Sequence, residues 1–149
     1  MQKTLILFKP DAVERGLVGV ILERFERVGL RIEQARLVRP TLAQLREHYA
    51  DLKDRQPAAF ERTTAFLAEK PFLAMVLAGQ NAIAKVRQLL GPTDPMTAPP
   101  GSIRGDFSAD SMSQADAGQR ATMNLVHAAD SEASVKREAS LWFRNWEED

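Results

Sequence analysis

The chain has no cysteine among its 149 residues. Disulfides, thiolate metal sites and cysteine nucleophiles are therefore excluded, and redox chemistry is not expected. A net charge is also missing, because 20 basic residues balance 20 acidic ones. No long-range field draws such a chain to nucleic acid or an anionic membrane, so any polyanion must be gripped locally and no specific nucleic-acid partner is expected. Long apolar runs are absent from the N-terminal region, where the longest, residues 5–8, is too short for a signal-peptide core or a membrane span. A cytoplasmic protein without a membrane partner is the expectation. Tyrosine occurs once and histidine twice, at His48 and His127, which makes histidine the scarce reactive group.

What is present suffices for one core. A hydrophobic content of 44% in 149 residues predicts a single domain spanning 1–149. Residues 3–8 read as a buried strand that stops at Lys9-Pro10, since proline cannot donate to a ladder. Val13, Leu17, Val20, Ile21, Phe25 and Val28 recur at helical spacing up to Gly29. Residues 30–38 suit a half-exposed strand. Thr41 and Gln44 have the spacing of a capping box, opening a helix that carries His48 and Tyr49. A further helix is expected over about 58–69, with Phe60, Phe66 and Leu67 inward, and a central strand over 72–78. Asn81 is the expected cap of a helix over 82–90 that Gly91 ends. Residues 92–119, rich in Pro, Gly, Ser and Asp, read as a long loop. A strand over 122–127 and a helix over 131–143, capped by Asp130 or Ser131, complete the pattern. This order predicts an α/β (α+β) fold of the ferredoxin-like, split βαβ kind: a four-stranded antiparallel sheet with covering helices on one face.

His127 ends an apolar strand just before a helix start, a place that favours anions. The basic residues arranged for it suit phosphate: Lys9 at the first strand's end, Arg87 before Gly91, and Arg104 in the turn 101–106. Arginine forks match phosphate oxygens and lysine supplies a point charge.

These residues lie in stretches that resemble the nucleoside diphosphate kinase family across essentially the whole chain. The resemblance rests on Leu7-Phe-Lys-Pro-Asp-Ala-Val13 with Arg15-Gly-Leu-Val-Gly19, on Glu47-His-Tyr49, on Gly91-Pro-Thr-Asp-Pro95, on Pro100-Gly-Ser-Ile-Arg-Gly-Asp-Phe107 and on Asn124-Leu-Val-His-Ala-Ala-Asp-Ser131. It implies a ping-pong exchange in which a nucleoside triphosphate such as ATP phosphorylates His127 and a nucleoside diphosphate takes the group away. A neutral imidazole is a competent nucleophile near pH 7 without prior deprotonation. The resemblance further implies that Arg87, Arg104 and Thr93 bind phosphate. By the same token Lys9 and Asn124 hold ribose and phosphates, Tyr49 stands beside the transferring group and Glu138 orients the imidazole. Magnesium (Mg2+) would bridge the nucleotide phosphates, with Asp130 near it through water. A homo-oligomer, hexamer or tetramer built from dimers, is implied too. Trp142 and Trp146 would pack on a neighbouring subunit or close their own domain.

Three departures from the family pattern stand out. Ala129 replaces a serine that touches the orienting glutamate, so Glu138 is expected to lose a partner. About two extra residues before Pro71 put Ala59 at the base-stacking position and leave Phe60 as the candidate ring. Residues 108–123 are about ten longer than the usual link and suit a flap, a subunit contact or a mobile segment. The competing reading is a nucleotide-binding regulatory or scaffold protein of the same fold with reduced activity.

Overall fold

The computed structural model describes residues 1–146. Strands β1 (Gln2–Phe8), β2 (Arg31–Val38), β3 (Phe72–Gly79) and β4 (Val126–Ala128) form one sheet in the order β2-β3-β1-β4. Every pairing is antiparallel, which is the ferredoxin-like arrangement. The helices are α1 (Pro10–Glu14), α2 (Val18–Arg27), α3 (Leu42–His48), α4 (Ala50–Arg55), α5 (Pro57–Leu67), α6 (Ala82–Leu90), α7 (Ile103–Phe107), α8 (Met112–Ala117) and α9 (Glu132–Trp142).

The covering helices lie on both faces of the sheet, not one. In β1 the consecutive residues Leu5, Ile6, Leu7 and Phe8 are all fully buried. Successive strand side chains point to opposite faces, so a strand apolar at every position must be covered twice. Ile6 and Phe8 join Ile21, Phe25, Val86 and Leu90 on one side. Leu5 and Leu7 join Leu45, Val135, Ala139 and Trp142 on the other.

The first helical stretch is broken in two. The chain turns at Gly16, whose φ of 68° is a left-handed conformation that glycine adopts without strain. Ile21 and Phe25 of α2 face the core, whereas Val20 and Val28 are exposed. The Thr41 capping box forms as expected, Gln44 N–H donating to Thr41 Oγ1 and Thr41 N–H to Gln44 Oε1. Asn81 precedes α6, but its side chain makes no capping bond; its use is a left-handed φ of 52°. Ser131 caps α9 by accepting from Ser134 N–H.

The region expected to be a long loop is folded. Asp94, Ser102 and Ser111 cap a 3-10 turn over Pro95–Thr97, then α7 and α8, so Arg104 stands on a helix and not in a turn. Gly105 of α7 packs against Pro99, whose carbonyl oxygen would lie 2.1 Å from any Cβ placed there. The last strand, in contrast, is shorter than expected. Only Val126–Ala128 pairs with β1, because β1 gives way to α1 at Pro10 and Leu125 has φ 74°. Trp142 and Trp146 pack in one cluster of their own chain, while Glu147–Asp149 lie outside the described residues.

Candidate active site

Where β1 and β4 end, Lys9 N–H donates to the Leu125 carbonyl and the two chain segments diverge around a cavity of about 410 Å³. Lys9, Tyr49, Arg87, Thr93, Arg104, Asn124, His127, Asp130 and Glu138 all line it. Sequence reasoning placed these nine together from seven separate segments. Phe60 is not among them. Its ring is 1% exposed inside α5, with the Arg46 guanidinium over it at 4.9 Å, so it offers no open face to a base. Ala59 is buried as well. Pro57 starts a new helix, which turns both residues inward, and Asp51, Leu52 and Arg55 line the cavity from α4 instead.

His127 sits in β4 with its side chain one-quarter exposed, and Glu138 of α9 approaches its Nε2 at 2.8 Å. The carboxylate accepts, so Nε2 carries the hydrogen and Nδ1 keeps its lone pair. Position 129, an alanine, brings no hydroxyl, and Glu138 Oε2 is buried without a hydrogen-bond partner among the described residues.

A histidine that sequence reasoning did not assign lies behind this pair. His48 is 3% exposed, its ring centroid 4.5 Å from that of His127 and edge-on to it. Trp142 Nε1–H donates to His48 Nδ1 at 3.1 Å, which puts the hydrogen of the neutral ring on Nε2. Burial, then the neighbouring His127, hold its pKa well below the ordinary histidine value, so the ring stays neutral. His48, His127 and Glu138 are close enough to suggest a metal centre, their ligand atoms lying within 4.8 Å of one another. Both ring nitrogens near the carboxylate carry hydrogen, however, so neither offers a metal a lone pair there.

The cations are held by backbone oxygens. Lys9 Nζ donates to Thr122 O at 2.8 Å and Asn124 Oδ1 at 2.9 Å, leaving one N–H for a ligand. Burial lowers its pKa to about 8. Arg104 donates to the carbonyls of Asn124, Gly91 and Val126. Burial and the neighbouring Arg87 bring it down to about 10, still charged at neutral pH. Arg87 donates to Ala128 O, and Asn124 Nδ2 to Thr93 O. Burial and then Glu138 push the Tyr49 hydroxyl pKa up, so it remains a donor. Asp130 accepts from Ser134 Oγ, which lowers its pKa. Asp11 was missed although it lies in a quoted motif; its carboxylate accepts Leu125 N–H at 3.0 Å. Arg137, also missed, reaches Glu138 Oε1 at 3.9 Å. Five lysine and arginine side chains against three carboxylates make the lining net positive, suited to a polyanion that a neutral chain would not attract from afar.

A ferredoxin-like sheet with an imidazole set in a cationic cavity at its end defines an α+β protein of phosphate chemistry. The family model for nucleoside diphosphate kinase matches residues 2–147. A nucleoside diphosphate kinase of Desulfitobacterium hafniense is 42% identical over 144 residues, covering 97% of this chain and 89% of the relative. Nucleoside diphosphate kinase 3 of Homo sapiens is 41% identical over 143 residues, covering 96% and 78%. Among solved structures, a transition-state mimic of nucleoside-diphosphate kinase from Borrelia burgdorferi with bound vanadate and ADP superimposes with a TM-score of 0.91 at 36% identity, covering 99% and 93%. A halophilic nucleoside diphosphate kinase from Halobacterium salinarum in complex with CDP gives 0.81 at 34%, covering 99% and 94%. The chain belongs to the nucleoside diphosphate kinase family and is an enzyme of that activity.

Proposed function

We propose that the enzyme works by ping-pong exchange through a phosphohistidine at His127. The observation that carries this is the 2.8 Å contact of His127 Nε2 with Glu138, which leaves Nδ1 a free lone pair on a residue that lines a net-positive cavity. Nδ1 attacks the terminal phosphorus of a nucleoside triphosphate such as ATP, the bond to the bridging oxygen breaks, and the diphosphate leaves with that electron pair. The Nε2 proton stays on the ring, whose new positive charge faces the Glu138 carboxylate. Arg87 and Arg104 offset charge on the leaving oxygens, Lys9 grips ribose and phosphate in the bound nucleotide, and Tyr49 donates beside the moving group. A second nucleoside diphosphate reverses these steps and regains the group.

The carboxylates fit a nucleotide-borne magnesium and not a protein cage, since Asp130 is an isolated acid beside Arg87 and Ser134. Mg2+ would arrive on the nucleotide phosphates, mostly hydrated, and neutralise their charge, with Asp130 holding one of its waters. Without an aromatic platform at Phe60, the base would rest near Leu52 and Arg55, and little discrimination among bases is expected. A homo-oligomer, hexamer or tetramer of dimers, is supported by β2, an edge strand with Ile32 41% and Leu37 68% exposed. We place the activity in one domain over 1–149 and in the cytoplasm, no described helix being long and apolar enough to cross a membrane.

Incubating the protein with γ-labelled ATP and magnesium, then quenching, is expected to give an acid-labile phosphoenzyme that any nucleoside diphosphate discharges. No phosphoenzyme in the wild type would leave the regulatory or scaffold reading in its place.

Lys9 adds a pH test. Its charge is lost as pH rises through about 8 in the free protein, and a bound diphosphate favours the charged form. ADP affinity, followed by calorimetry, is expected to fall about tenfold between pH 8 and pH 9.5 and to lose this dependence in Lys9→Met. A flat wild-type profile would remove Lys9 from phosphate binding.

A further inference from the structure

Residues 108–123 leave the cavity wall after α7 and return to it before β4, and one ion pair closes the excursion. Arg120 meets Asp110 with both arms, Nη1 at 2.7 Å from Oδ2 and Nη2 at 2.9 Å from Oδ1. The side chains are only 21% and 12% exposed, so water screens this pair less than a surface one. Asp110 Oδ2 also accepts Met123 N–H at 2.8 Å, while the Ser108 hydroxyl donates to the Met123 carbonyl at 2.6 Å. The peptide groups of Met123 are thus gripped from both sides by the start of the excursion.

The residues flanking Met123 are the acceptors of Lys9. Thr122 O and Asn124 Oδ1 take two of the three ammonium hydrogens, and they decide where the third points. Asn124 passes the same constraint to Thr93 through Nδ2. A second strut runs alongside: Asp94, next to Thr93, accepts Met112 N–H at 3.3 Å from the start of α8. Asp116 of α8 pairs with Arg62 of α5. Yet neither Asp110 nor Arg120 lines the cavity. No residue of the excursion lines the cavity, and it still fixes three of the groups assigned to nucleotide binding.

We propose that Asp110 and Arg120 are positioning residues for the nucleotide: their clasp holds residues 122–124 in place and so directs the Lys9 ammonium and Asn124 at ribose and phosphate. The proposal rests on the phosphoryl-transfer reading above and deepens it. His127 is held independently, by Glu138 of α9 and by pairing with β1, so loosening the clasp weakens capture of the nucleotide and leaves transfer within the bound complex largely intact.

Rapid-quench measurement of phosphoenzyme formation against ATP concentration, with magnesium, separates the two. Arg120→Ala is expected to raise the half-saturating ATP concentration about tenfold and to change the saturating rate by less than about threefold. Asp110→Asn keeps an oxygen for Met123 N–H and should fall between Arg120→Ala and wild type. A clasp serving stability alone would lower the melting temperature without moving half-saturation, and that result overturns the proposal. A saturating rate that falls as far as the apparent affinity overturns it equally. Should Arg120→Ala not fold, Arg120→Lys keeps the charge without the two-armed grip, and an unshifted half-saturation there is the contrary result. Failure of the underlying reading looks different, since the wild type itself would then form no phosphoenzyme.

Discussion

His127→Ala is expected to form no phosphoenzyme and to lose nucleoside diphosphate kinase exchange by at least about 10⁴-fold, while remaining folded. The loss is large because the other residues of the site bind and orient but offer no comparable nucleophile. His48 is the one other imidazole, and it is a poor substitute: Trp142 occupies its Nδ1, and its Nε2 carries hydrogen and is buried. The fold should survive because His127 lies on the cavity wall with its side chain one-quarter exposed, and the β1–β4 pairing uses its backbone. Some stability is lost nevertheless. Glu138 is 4% exposed, and without His127 its carboxylate keeps, among the described residues, His48 at 3.8 Å and Arg137 at 3.9 Å, both beyond hydrogen-bond range. A lower melting temperature with a native circular dichroism spectrum is therefore the expected companion. Retained exchange in purified His127→Ala would eliminate the covalent intermediate, since no second group is placed to carry it.

Local chemistry explains which parts of this site were legible in the sequence. Strand β1 and the Thr41 capping box depend on neighbours in the chain, and both are readable without tertiary information. The ordered motifs brought seven of the nine lining residues together because they sit at or beside the ends of elements, where the fold converges, while Arg87 and Glu138 reach the site from within α6 and α9. The misreadings share a different cause. Residues 92–119 have a composition of turns, yet Ser and Asp cap short helices as readily as they make loops, and only packing decides. The strand over 122–127 was overlong because its partner β1 gives way to α1 at Pro10 and Leu125 takes a positive φ of 74°. Phe60 has the spacing of a core residue and of a base platform alike, and the inward turn at Pro57 settles it for the core. His48 was invisible for a related reason. Nothing near it in sequence shows that Trp142, 94 positions away, fixes its tautomer beside the nucleophile.

Arg104 carries the second large effect, and on two quantities at once. Its sequence context suggested a fork for phosphate, but the structure first makes it a clamp: Nε binds Asn124 O at 3.1 Å, Nη1 binds Gly91 O at 3.0 Å and Nη2 binds Val126 O at 2.6 Å. The side chain thereby joins the end of α6, the Lys9-binding segment and the strand of His127. Hydrogen bonds to a charged donor contribute about 1.5–3 kcal/mol each, and carbonyls left buried without a partner add a penalty. The three share one side chain and do not add fully, so Arg104→Ala is expected to cost about 3–5 kcal/mol and to lower the melting temperature by roughly 10 °C. Removing a buried cation from the cavity while releasing Asn124 and His127 should also reduce the second-order rate of phosphoenzyme formation by about 10³-fold. Arg104→Lys separates the two roles. An ammonium restores the positive charge, but from one nitrogen it cannot reach three diverging carbonyls, so part of the rate should return while the melting temperature stays low. Calorimetry of the three proteins, paired with quenched-flow labelling, checks this directly. A lysine variant as stable as wild type would mean that the carbonyl grips carry no weight and that Arg104 acts on the phosphates alone.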